Sequence, residues 1–407
     1  MSATTILVLN SGSSSIKFEL LDPMSRTSIA SGIVDRVGQA AGTAEIHTPE
    51  ATREFAGPIP DHTAGMAIIE DLFRQVGIAL DESTVAGVGH RVVQGGAVFS
   101  DPVRINDGVR QSIYDLGALA PLHNYAAVDG IDGAKKLLPS IPHVAVFDTA
   151  FFTALPDSSA TYAIAREIAD KHQIRRYGAH GTSHRFVSQS VPGFLETAGV
   201  TPTVGEQGLR QIVLHLGNGA SVSAVVDGSP VDTSMGLTPL EGLVMGTRSG
   251  DIDPSVYVHL FRQAGMGPEE VDTLLNKKSG LIGLLGMSDF RDIEAAIDAG
   301  DEAAQKAFDV WAHRVRKYVG SYAFVMGGVD VITFTAGIGE NADFARAAAL
   351  AGLEEFGIVI DPQRNAGRKK EPAVISADDS RVTVVVFPTA EEFAIAQQTL
   401  EVVRAAV

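Results

Sequence analysis

The sequence predicts an α/β protein of two domains, and three observations support that prediction. Strand-like apolar runs alternate with segments of helical periodicity along the chain, which is the order typical of α/β folds. The length of 407 residues suits two domains of roughly 100–200 residues each. One pattern also occurs twice, at residues 6–21 and 212–226: a buried strand, a hairpin of small residues and a second strand.

The individual elements follow from hydrophobic periodicity. Short apolar runs bounded by turn residues predict strands, and longer segments with apolar residues three and four positions apart predict helices. Up to a boundary near Ala150 we predict strands at residues 6–9, 16–21 and 144–147, and helices at 64–76, 109–119 and 126–137. Beyond it we predict helices at 184–197, 254–263, 303–325, 342–356 and 391–403, and strands at 212–216, 222–226, 331–335 and 382–387. No low-complexity linker separates the halves, so we expect them to share a cleft.

Composition and charge exclude several classes of function. The hydrophobic share of 45% and the charged share of 20% are ordinary for a globular protein. The formal net charge is −17, from 32 Lys and Arg against 49 Asp and Glu, and no basic run would attract nucleic acid. The first apolar run, residues 6–9, is too short for a signal peptide. The longest one, residues 319–339, contains Asp330 and several glycines, which argues against a membrane span.

We therefore expect a cytoplasmic protein that binds neither nucleic acid nor membranes. The chain has no cysteine, so disulfides and thiolate metal sites are excluded. Small anionic ligands would have to be held by local cations and backbone N–H groups, against the net charge of the chain.

Two searches for nucleotide-binding motifs are negative. The chain has no G-x-x-x-x-G-K-[ST] loop, and each of its G-x-G sequences lacks the third glycine of a dinucleotide fingerprint. Gly/Ser-rich turns remain at residues 10–15, 217–221 and 337–341, where small residues let backbone N–H groups approach phosphate oxygens. Each turn alone reads more simply as a plain hairpin. The first two turns occupy the same place in the repeated pattern, and the third turn precedes a predicted helix. Together the three turns favour phosphate binding.

Two further segments carry candidate chemistry. Residues 232–254 are glycine-rich and contain one cation, Arg248, which could meet an anion or could be a solvated surface arginine. His180 and His184 flank Gly-Thr-Ser, a spacing that could mimic a metal pair. Gly181 argues against a helix there, and no Glu supplies a base. We therefore favour a histidine that hydrogen-bonds a phosphoryl oxygen, with a buried structural histidine as the alternative.

Several long motifs cover the chain from residue 6 to about residue 400. They lie at residues 10–18, 89–93, 120–124, 147–151, 175–178, 180–184, 232–254, 334–341 and 388–392. Together they closely resemble the acetate kinase family, within the superfamily of acetate and sugar kinases, Hsp70 and actin. The length of these motifs makes the resemblance specific.

The resemblance implies a duplicated ribonuclease H-like, actin-like ATPase core with nucleotide in the interdomain cleft. It implies a discontinuous first domain, residues 1–150 plus 388–407, closed by the terminal helix, and a nucleotide-binding domain at residues 151–387. The implied reaction is reversible transfer of a phosphoryl group from ATP to acetate, which gives acetyl phosphate and ADP. The implied cofactor is Mg²⁺, with Mn²⁺ as an alternative, and the implied assembly is a homodimer.

The resemblance also assigns roles to residues. It implies that Asn10 and Glu391 help to hold the metal. It implies a catalytic set of Arg91, Asp148, His180 and Arg248, and a substrate set of Arg91, Val93, Leu122 and Pro239. For the nucleotide it implies Lys17, His215, Leu216, Gly217, Asn218, Gly219, Asp289, Phe290, Arg291, Gly337, Ile338, Gly339, Glu340 and Asn341.

Elementary chemistry is consistent with that set. A carboxylate substrate with a pKa near that of Glu, about 4.3, is ionised at neutral pH and needs no general base. Asp148 is therefore expected to orient Arg91 or a metal-bound water, and not to accept a proton. The main barrier to the reaction is the repulsion between the carboxylate substrate and the phosphoryl group, which are both negatively charged. In-line transfer therefore needs cations such as Arg91 and Arg248 at the phosphoryl oxygens.

Four positions depart from the usual family pattern: Gln94, Tyr125, Ala390 and Ala179. Ala179 stands where the family typically has Phe beside the acetate methyl, so we expect either a pocket that admits propionate or butyrate, or a neighbouring aromatic side chain that fills the gap. The alternatives to acetate are thus the propionate and butyrate kinases of the same family. A remote alternative is an actin- or Hsp70-like ATPase.

Overall fold

The structure, a computed structural model, describes residues 4–121 and 123–405. Its contacts divide the chain into two units. The first unit extends to Thr153 and resumes at Ala390, and the second comprises Ala154–Thr389. Leu122, one of the predicted substrate residues, lies outside the described residues.

The first unit is a mixed sheet with helices on both faces. Its helices are α1 (His62–Gln75), α2 (Asp107–Asp115), α3 (Asn124–Leu137) and the last helix of the chain, α15 (Glu391–Ala405). Its described strands are β1 (Thr5–Ser11), β2 (Ser15–Asp22), β3 (Thr27–Asp35), β4 (Gln39–His47), β5 (Thr52–Ile59), β6 (Val85–Val92), β7 (Val103–Arg104) and β8 (His143–Phe147). They form one sheet in the order β5-β4-β3-β2-β1-β6-β8-β7.

The alternation of side chains along β1 explains how this sheet is buried. Ile6 and Val8 pack with α15 residues such as Ile395, whereas Leu7 and Leu9 point to the opposite face and join the core beneath α1 and α3. Successive side chains of a strand face opposite sides. A continuous apolar run is therefore what a strand covered on both faces requires.

The second unit is built in the same way. Its strands are β9 (Arg210–Leu216), β10 (Ala220–Val226), β11 (Ser229–Thr233), β12 (Val331–Thr335), β13 (Ala373–Val374) and β14 (Thr383–Val386). Its helices are α4 (Asp157–Ala160), α5 (Arg166–His172), α6 (Gly181–Thr197), α7 (Ser255–Ala264), α8 (Pro268–Lys277), α9 (Gly280–Leu285), α10 (Phe290–Asp298), α11 (Glu302–Val325), α12 (Ala336–Asn341), α13 (Asp343–Leu350) and α14 (Pro362–Asn365). One face of β9 packs with α11 through Ile212 and Leu214, and the other with α6 through Val213.

The two sheets share one arrangement of strands. In the first unit β3, β2 and β1 are antiparallel neighbours, and β6 and β8 continue the sheet in parallel with β1. In the second unit β11, β10 and β9 are antiparallel, and β12 and β14 continue in parallel with β9. The predicted α/β class with a duplicated core is confirmed.

Three local predictions were wrong. The glycine-rich turn expected at residues 337–341 is the short helix α12, in which the Glu340 carboxylate accepts from the N–H group of Ala336 in the first turn. The helix expected at residues 342–356 ends at Leu350, because Gly352 adopts a left-handed conformation with φ of 78° that stops a helix. Gly181 does not prevent a helix either, since it is the first residue of α6. Glycine destabilises a helix through its backbone entropy mainly in the helix interior, so it is tolerated at the first position.

A buried pair of histidines joins β6 to β8 in the core of the first unit. His143 Nε2 lies 3.0 Å from the carbonyl oxygen of Leu138, so this nitrogen must carry the hydrogen. Its Nδ1, 2.9 Å from His90 Nε2, therefore accepts the hydrogen of His90. Burial, with smaller contributions from His143 and Lys135, lowers the pKa of His90 well below 6.5. Burial also lowers the pKa of His143.

The stability of the protein is therefore expected to fall in acid. Below the ordinary histidine pKa of about 6.5 the unfolded chain binds protons that the folded chain does not. The free energy of unfolding should decrease with falling pH by up to about 1.4 kcal/mol per pH unit for each histidine. Denaturant unfolding between pH 7.5 and pH 5.5 measures this slope. The variant His90→Gln should show a shallower slope, and equal slopes would contradict the assignment.

Candidate active site

Arg91 and Asp148 lie at the ends of two neighbouring parallel strands. Arg91 is the penultimate residue of β6, and Asp148 directly follows β8. The guanidinium group donates from Nε to Asp148 Oδ1 at 3.2 Å and from Nη2 to Oδ2 at 2.5 Å. This is the two-point pairing that a planar guanidinium favours. The carboxyl ends of neighbouring parallel strands are also where α/β sheets commonly bind ligands.

The charges around Arg91 determine its protonation and that of Asp148. Burial alone would lower the pKa of Arg91, but Asp148 and Glu391 together raise it, so the guanidinium stays charged. Asp148 is only 1% exposed. Burial raises the pKa of its carboxyl group, Arg91 opposes that rise, and Glu391 adds to it. His123 also acts on this carboxyl, lowering its pKa. Sequence reasoning did not single out His123, although it lies in the motif at residues 120–124.

The predicted metal residues lie beside the same guanidinium. Asn10 Oδ1 accepts a hydrogen bond from Arg91 Nη1 at 3.3 Å. Glu391 is the first residue of α15, and its Oε2 is 3.9 Å from Arg91 Nε. Burial raises the pKa of the Glu391 carboxyl, whereas Arg91 and Lys17 lower it. Lys17 is the cross-strand partner of Asn10 on β2, so the structure brings Asn10, Lys17, Arg91, Asp148 and Glu391 together in the first unit.

The donor chemistry of Asn10 and Glu391 fits Mg²⁺ bound largely through water and phosphate oxygens. Within residues 4–121 and 123–405, no group of three or more His, Asp or Glu could enclose a metal ion. Mg²⁺ prefers oxygen ligands, retains several waters and is commonly held by one or two carboxylates plus the phosphates of a substrate. An amide oxygen and a carboxylate are therefore adequate for an ion that arrives with a nucleotide.

The turn after β6 carries the substrate residue Val93, which is half-buried. Asn124, the first residue of α3, holds this turn: its Oδ1 accepts from Gln94 N at 3.0 Å and its Nδ2 donates to Gln94 O at 2.9 Å. The side chain of Gln94 accepts from Gly96 N at 2.8 Å. The departure from the family pattern at Gln94 is thus accommodated by a hydrogen bond within the turn.

In the second unit, the hairpin between β9 and β10 lies beside Arg248 and His180. A Cβ atom built on Gly219 would lie 3.5 Å from Arg248 Nη1 and 3.6 Å from His180 Nε2. The ring of His180 stacks on that of His215 with centroids 4.3 Å apart. His215 Nδ1 lies 2.8 Å from Ser183 Oγ. A glycine at position 219 therefore leaves these donors accessible from the hairpin.

Arg248 is a half-buried cation, and its side-chain partners in the described part of this unit include no carboxylate. Its Nη1 donates to the carbonyl oxygen of Pro239 at 3.1 Å and lies 3.8 Å from Met245 Sδ. Burial lowers the pKa of Arg248 from its ordinary value, although an arginine remains charged near neutral pH. A desolvated cation without a carboxylate partner favours a bound anion. Pro239, a predicted substrate residue, contacts Arg248 through its backbone.

A cavity of about 580 Å³ lies next to the same hairpin in the second unit. The nucleotide residues that line it are Gly217, Asn218, Asp289, Phe290, Arg291, Gly337, Ile338 and Asn341. Sequence reasoning missed five further lining residues, Ser288, Glu294, Ala342, Phe344 and Arg368. Five other predicted nucleotide residues in this unit, His215, Leu216, Gly219, Gly339 and Glu340, are not among the described lining residues of this cavity.

Glu340 and Gly339 have structural contacts instead. The Glu340 carboxylate accepts from the backbone N–H groups of Ala336, at 2.8 Å, and Thr389, at 3.0 Å. The carbonyl oxygen of Gly339 accepts from Arg346 Nη1 at 3.0 Å. Arg346 is fully buried, and its Nε and Nη2 also bind Asn365. Burial lowers the pKa of Arg346 to about 10, and Asp343 opposes that decrease. These contacts fix helix α12, which borders the cavity.

Comparisons with known proteins agree with these features. A family model described as the acetokinase family matches residues 5–397. The acetate kinase of Streptomyces avermitilis is 53% identical over 99% of this chain and 98% of its own length. The acetate kinase of Leifsonia xyli is 50% identical over 99% of this chain and 100% of its own length.

Solved structures give the same result. The crystal structure of Porphyromonas gingivalis acetate kinase matches with a TM-score of 0.91 and 41% identity, covering 98% of this chain and 100% of that one. A propionate kinase from Francisella tularensis matches with a TM-score of 0.90 and 39% identity over the same shares of each chain. The family match over most of the chain and the identities near 50% lead to one conclusion: the chain belongs to the acetokinase family.

Proposed function

We propose that this protein reversibly transfers the γ-phosphoryl group of ATP to acetate, giving acetyl phosphate and ADP. The observation that carries the proposal is Arg248, a half-buried cation beside His180 and the β9–β10 hairpin. Such a group stabilises the negative charge that develops on a phosphoryl group during transfer. Family membership supplies the acceptor, since the two relatives described above at 50% and 53% identity are acetate kinases.

In the first unit, Arg91 is proposed to bind the carboxylate substrate and Asp148 to position Arg91. The two-point contact between these side chains fixes the plane of the guanidinium. A carboxylate substrate is already ionised at neutral pH and needs no base, so Asp148 has no proton to remove. Val93, Leu122 and Pro239 are proposed to surround the acyl chain.

In the second unit, Arg248 and His180 are proposed to donate to oxygens of the transferring phosphoryl group. The cavity beside Gly217 and Asn218 is proposed to hold the adenosine, and backbone N–H groups of the hairpin are proposed to meet its phosphates. Lys17 of the first unit is proposed to contribute a further positive charge to the nucleotide phosphates.

Asn10 and Glu391 are the residues that would hold Mg²⁺, or Mn²⁺ in its place. When bound, the ion neutralises negative charge on the β- and γ-phosphates. Arg91 stays charged beside Glu391, so the chain itself supplies a second positive charge next to the two metal residues.

A cytoplasmic location is part of the same proposal, because ATP is an intracellular metabolite.

We also propose a homodimer. Helix α7 has no buried residue in the described structure, yet it carries Val256, Tyr257, Val258 and Phe261, all exposed. An exposed apolar surface of this kind commonly marks an interaction site, and a second copy of the chain offers the same surface in return.

No helix within residues 4–121 and 123–405 has both the length and the apolar composition of a membrane span.

The decisive experiment is a hydroxamate assay for acyl phosphate with ATP, Mg²⁺ and a series of short fatty acids. Acyl phosphate from acetate is the expected result, and ATP hydrolysis without acyl phosphate would favour the ATPase alternative. Failure with every short acid would overturn the proposed function.

The same assay tests the length of the acyl chain. Ala179 is buried in the apolar core of the second unit, where the family typically has the larger Phe. We expect propionate to retain a kcat/KM within about tenfold of that for acetate, because the space left by the missing ring accepts the extra methylene. Tenfold is the low end of the roughly 1–3 kcal/mol by which an apolar pocket discriminates one methylene. Restoring the ring in the variant Ala179→Phe should lower the value for propionate more than that for acetate. A steep fall at propionate in the wild type would show that another side chain fills the space.

A further inference from the structure

A buried chain of hydrogen bonds runs behind His180. His180 Nδ1 lies 2.9 Å from Ser221 Oγ. The same oxygen lies 2.7 Å from His184 Nε2, and His184 Nδ1 lies 2.7 Å from Ser223 Oγ. His184, Ser221 and Ser223 are all fully buried, so these contacts are shielded from solvent.

The number of hydrogens limits how this chain can be arranged. A serine hydroxyl carries one hydrogen, and a neutral imidazole has one donor and one acceptor nitrogen. Burial, with a smaller contribution from His215, lowers the pKa of His184 well below its ordinary value, so His184 is neutral. The Ser221 hydroxyl therefore either donates to His180 Nδ1, with the hydrogens pointing toward His180, or accepts a hydrogen from it. In the second case the hydrogens point away from His180, or both rings donate to Ser221, and in either arrangement His180 Nδ1 carries the hydrogen.

The direction of the chain decides what His180 offers on its other nitrogen. If the hydrogens point toward His180, Ser221 donates to Nδ1, and the neutral ring carries its hydrogen on Nε2. If they point away, Nδ1 carries the hydrogen and a neutral ring presents a lone pair at Nε2. That nitrogen and Arg248 Nη1 both face Gly219, at 3.6 Å and 3.5 Å from a Cβ atom built there. An anion bound beside Arg248 is attracted by an N–H group and repelled by a lone pair.

We propose that Ser221 is a positioning residue that holds His180 in the tautomer with its hydrogen on Nε2, ready for donation to a phosphoryl oxygen. This inference rests on the proposed phosphoryl transfer and adds a residue to it. The backbone of His180 supports the fixed placement of the ring. Its φ of 58° and ψ of 22° lie in the left-handed region, which non-glycine residues adopt at a cost and often at functional sites.

Nitrogen NMR on the wild-type protein tests the tautomer directly. Protein labelled with ¹⁵N-histidine is measured with Mg²⁺ and ATP, and the signals of His180 are identified by their loss in His180→Gln. The expected result is a neutral ring with its hydrogen on Nε2. A hydrogen on Nδ1, alone or together with one on Nε2, would overturn the proposal. This measurement is made on the wild-type protein, so its outcome does not depend on whether a serine variant folds.

Kinetics of Ser221→Ala test the consequence. We expect kcat to fall by about 10–100-fold, the range found when the hydrogen-bond partner behind a metal-bound histidine is removed, with the KM for ATP within about twofold. Ser188→Ala is the matched control, since its buried hydroxyl binds only the nearby carbonyl of Arg185 at 3.2 Å among the described contacts. An unchanged kcat in Ser221→Ala would contradict the role of Ser221. Absence of acyl phosphate in the wild type would instead contradict the proposed function, whatever the tautomer of His180.

Discussion

Replacing Arg248 with alanine is expected to lower kcat by about 10²–10³-fold, the effect of removing one preorganised donor to transition-state charge. The fold should survive, because the partners of this side chain in the described part of its unit are a carbonyl oxygen and a sulfur. No carboxylate of that part loses its counter-charge. The rate of acyl phosphate formation at saturating ATP and acetate measures the loss, and thermal unfolding checks the fold.

Two further variants make this test specific. Arg248→Lys keeps the charge but not the planar set of donors, so its kcat should lie between those of the wild type and Arg248→Ala. Arg166→Ala removes a side chain that is 92% exposed and pairs with Asp170 one helical turn away, and it should leave the rate unchanged. Near-normal turnover in Arg248→Ala would remove Arg248 from the proposed mechanism.

The fold could be predicted best where strands are buried on both faces. Continuous apolar runs at residues 6–9 and 212–216 indicated β1 and β9. The repeat of the same pattern at both places agreed with the duplicated core that the family resemblance implied. Strands β4 and β5 were missed because many of their side chains are exposed. Their inward faces carry mainly small residues, such as Gly42 and Ala44 beside Ile46 on β4, so the apolar alternation that marks a half-buried strand is weak.

The candidate site could be predicted only where its residues belong to local motifs. Glycine turns and the isolated Arg248 are visible in the sequence, because backbone approach and an unmatched charge are local properties. Arg346 and Arg368 are not visible in this way. Arg346 lies in the alanine-rich helix α13, where an arginine looks like a solvated surface residue, yet tertiary contacts bury it against Gly339 and Asn365. Its role depends on which segments the fold brings together.

Replacing Arg91 with alanine is expected to reduce both activity and stability. The kcat/KM for acetate should fall by about 10²–10³-fold, as for loss of a charged donor. The free energy of unfolding should fall by about 3 kcal/mol, the low end for a broken buried ion pair, because Arg91 is 20% exposed whereas Asp148 is 1% exposed. Kinetics with varied acetate and denaturant unfolding at pH 7 measure the two effects.

The loss of stability has a predictable pH dependence. Burial and Glu391 already raise the pKa of the Asp148 carboxyl while Arg91 opposes them, so removal of Arg91 should raise that pKa further. A carboxyl group whose pKa is higher in the folded protein than the unfolded value of about 3.8 binds a proton on folding. The stability deficit of Arg91→Ala should therefore shrink as the pH falls below the raised pKa of Asp148. A deficit that stays constant down to pH 4 would mean that Asp148 is not the uncompensated charge.

The double variant Arg91→Ala/Asp148→Asn separates the structural role of this ion pair from its role in binding. Asparagine removes the buried charge, so the double variant should be more stable than Arg91→Ala by about 1–2 kcal/mol. The remaining loss of stability relative to the wild type comes from the unmet hydrogen bonds of the amide. Its activity should stay as low as that of Arg91→Ala, because nothing replaces the cation that binds the carboxylate. If activity returned together with stability, Arg91 would act only by neutralising Asp148, and the substrate carboxylate would need another partner.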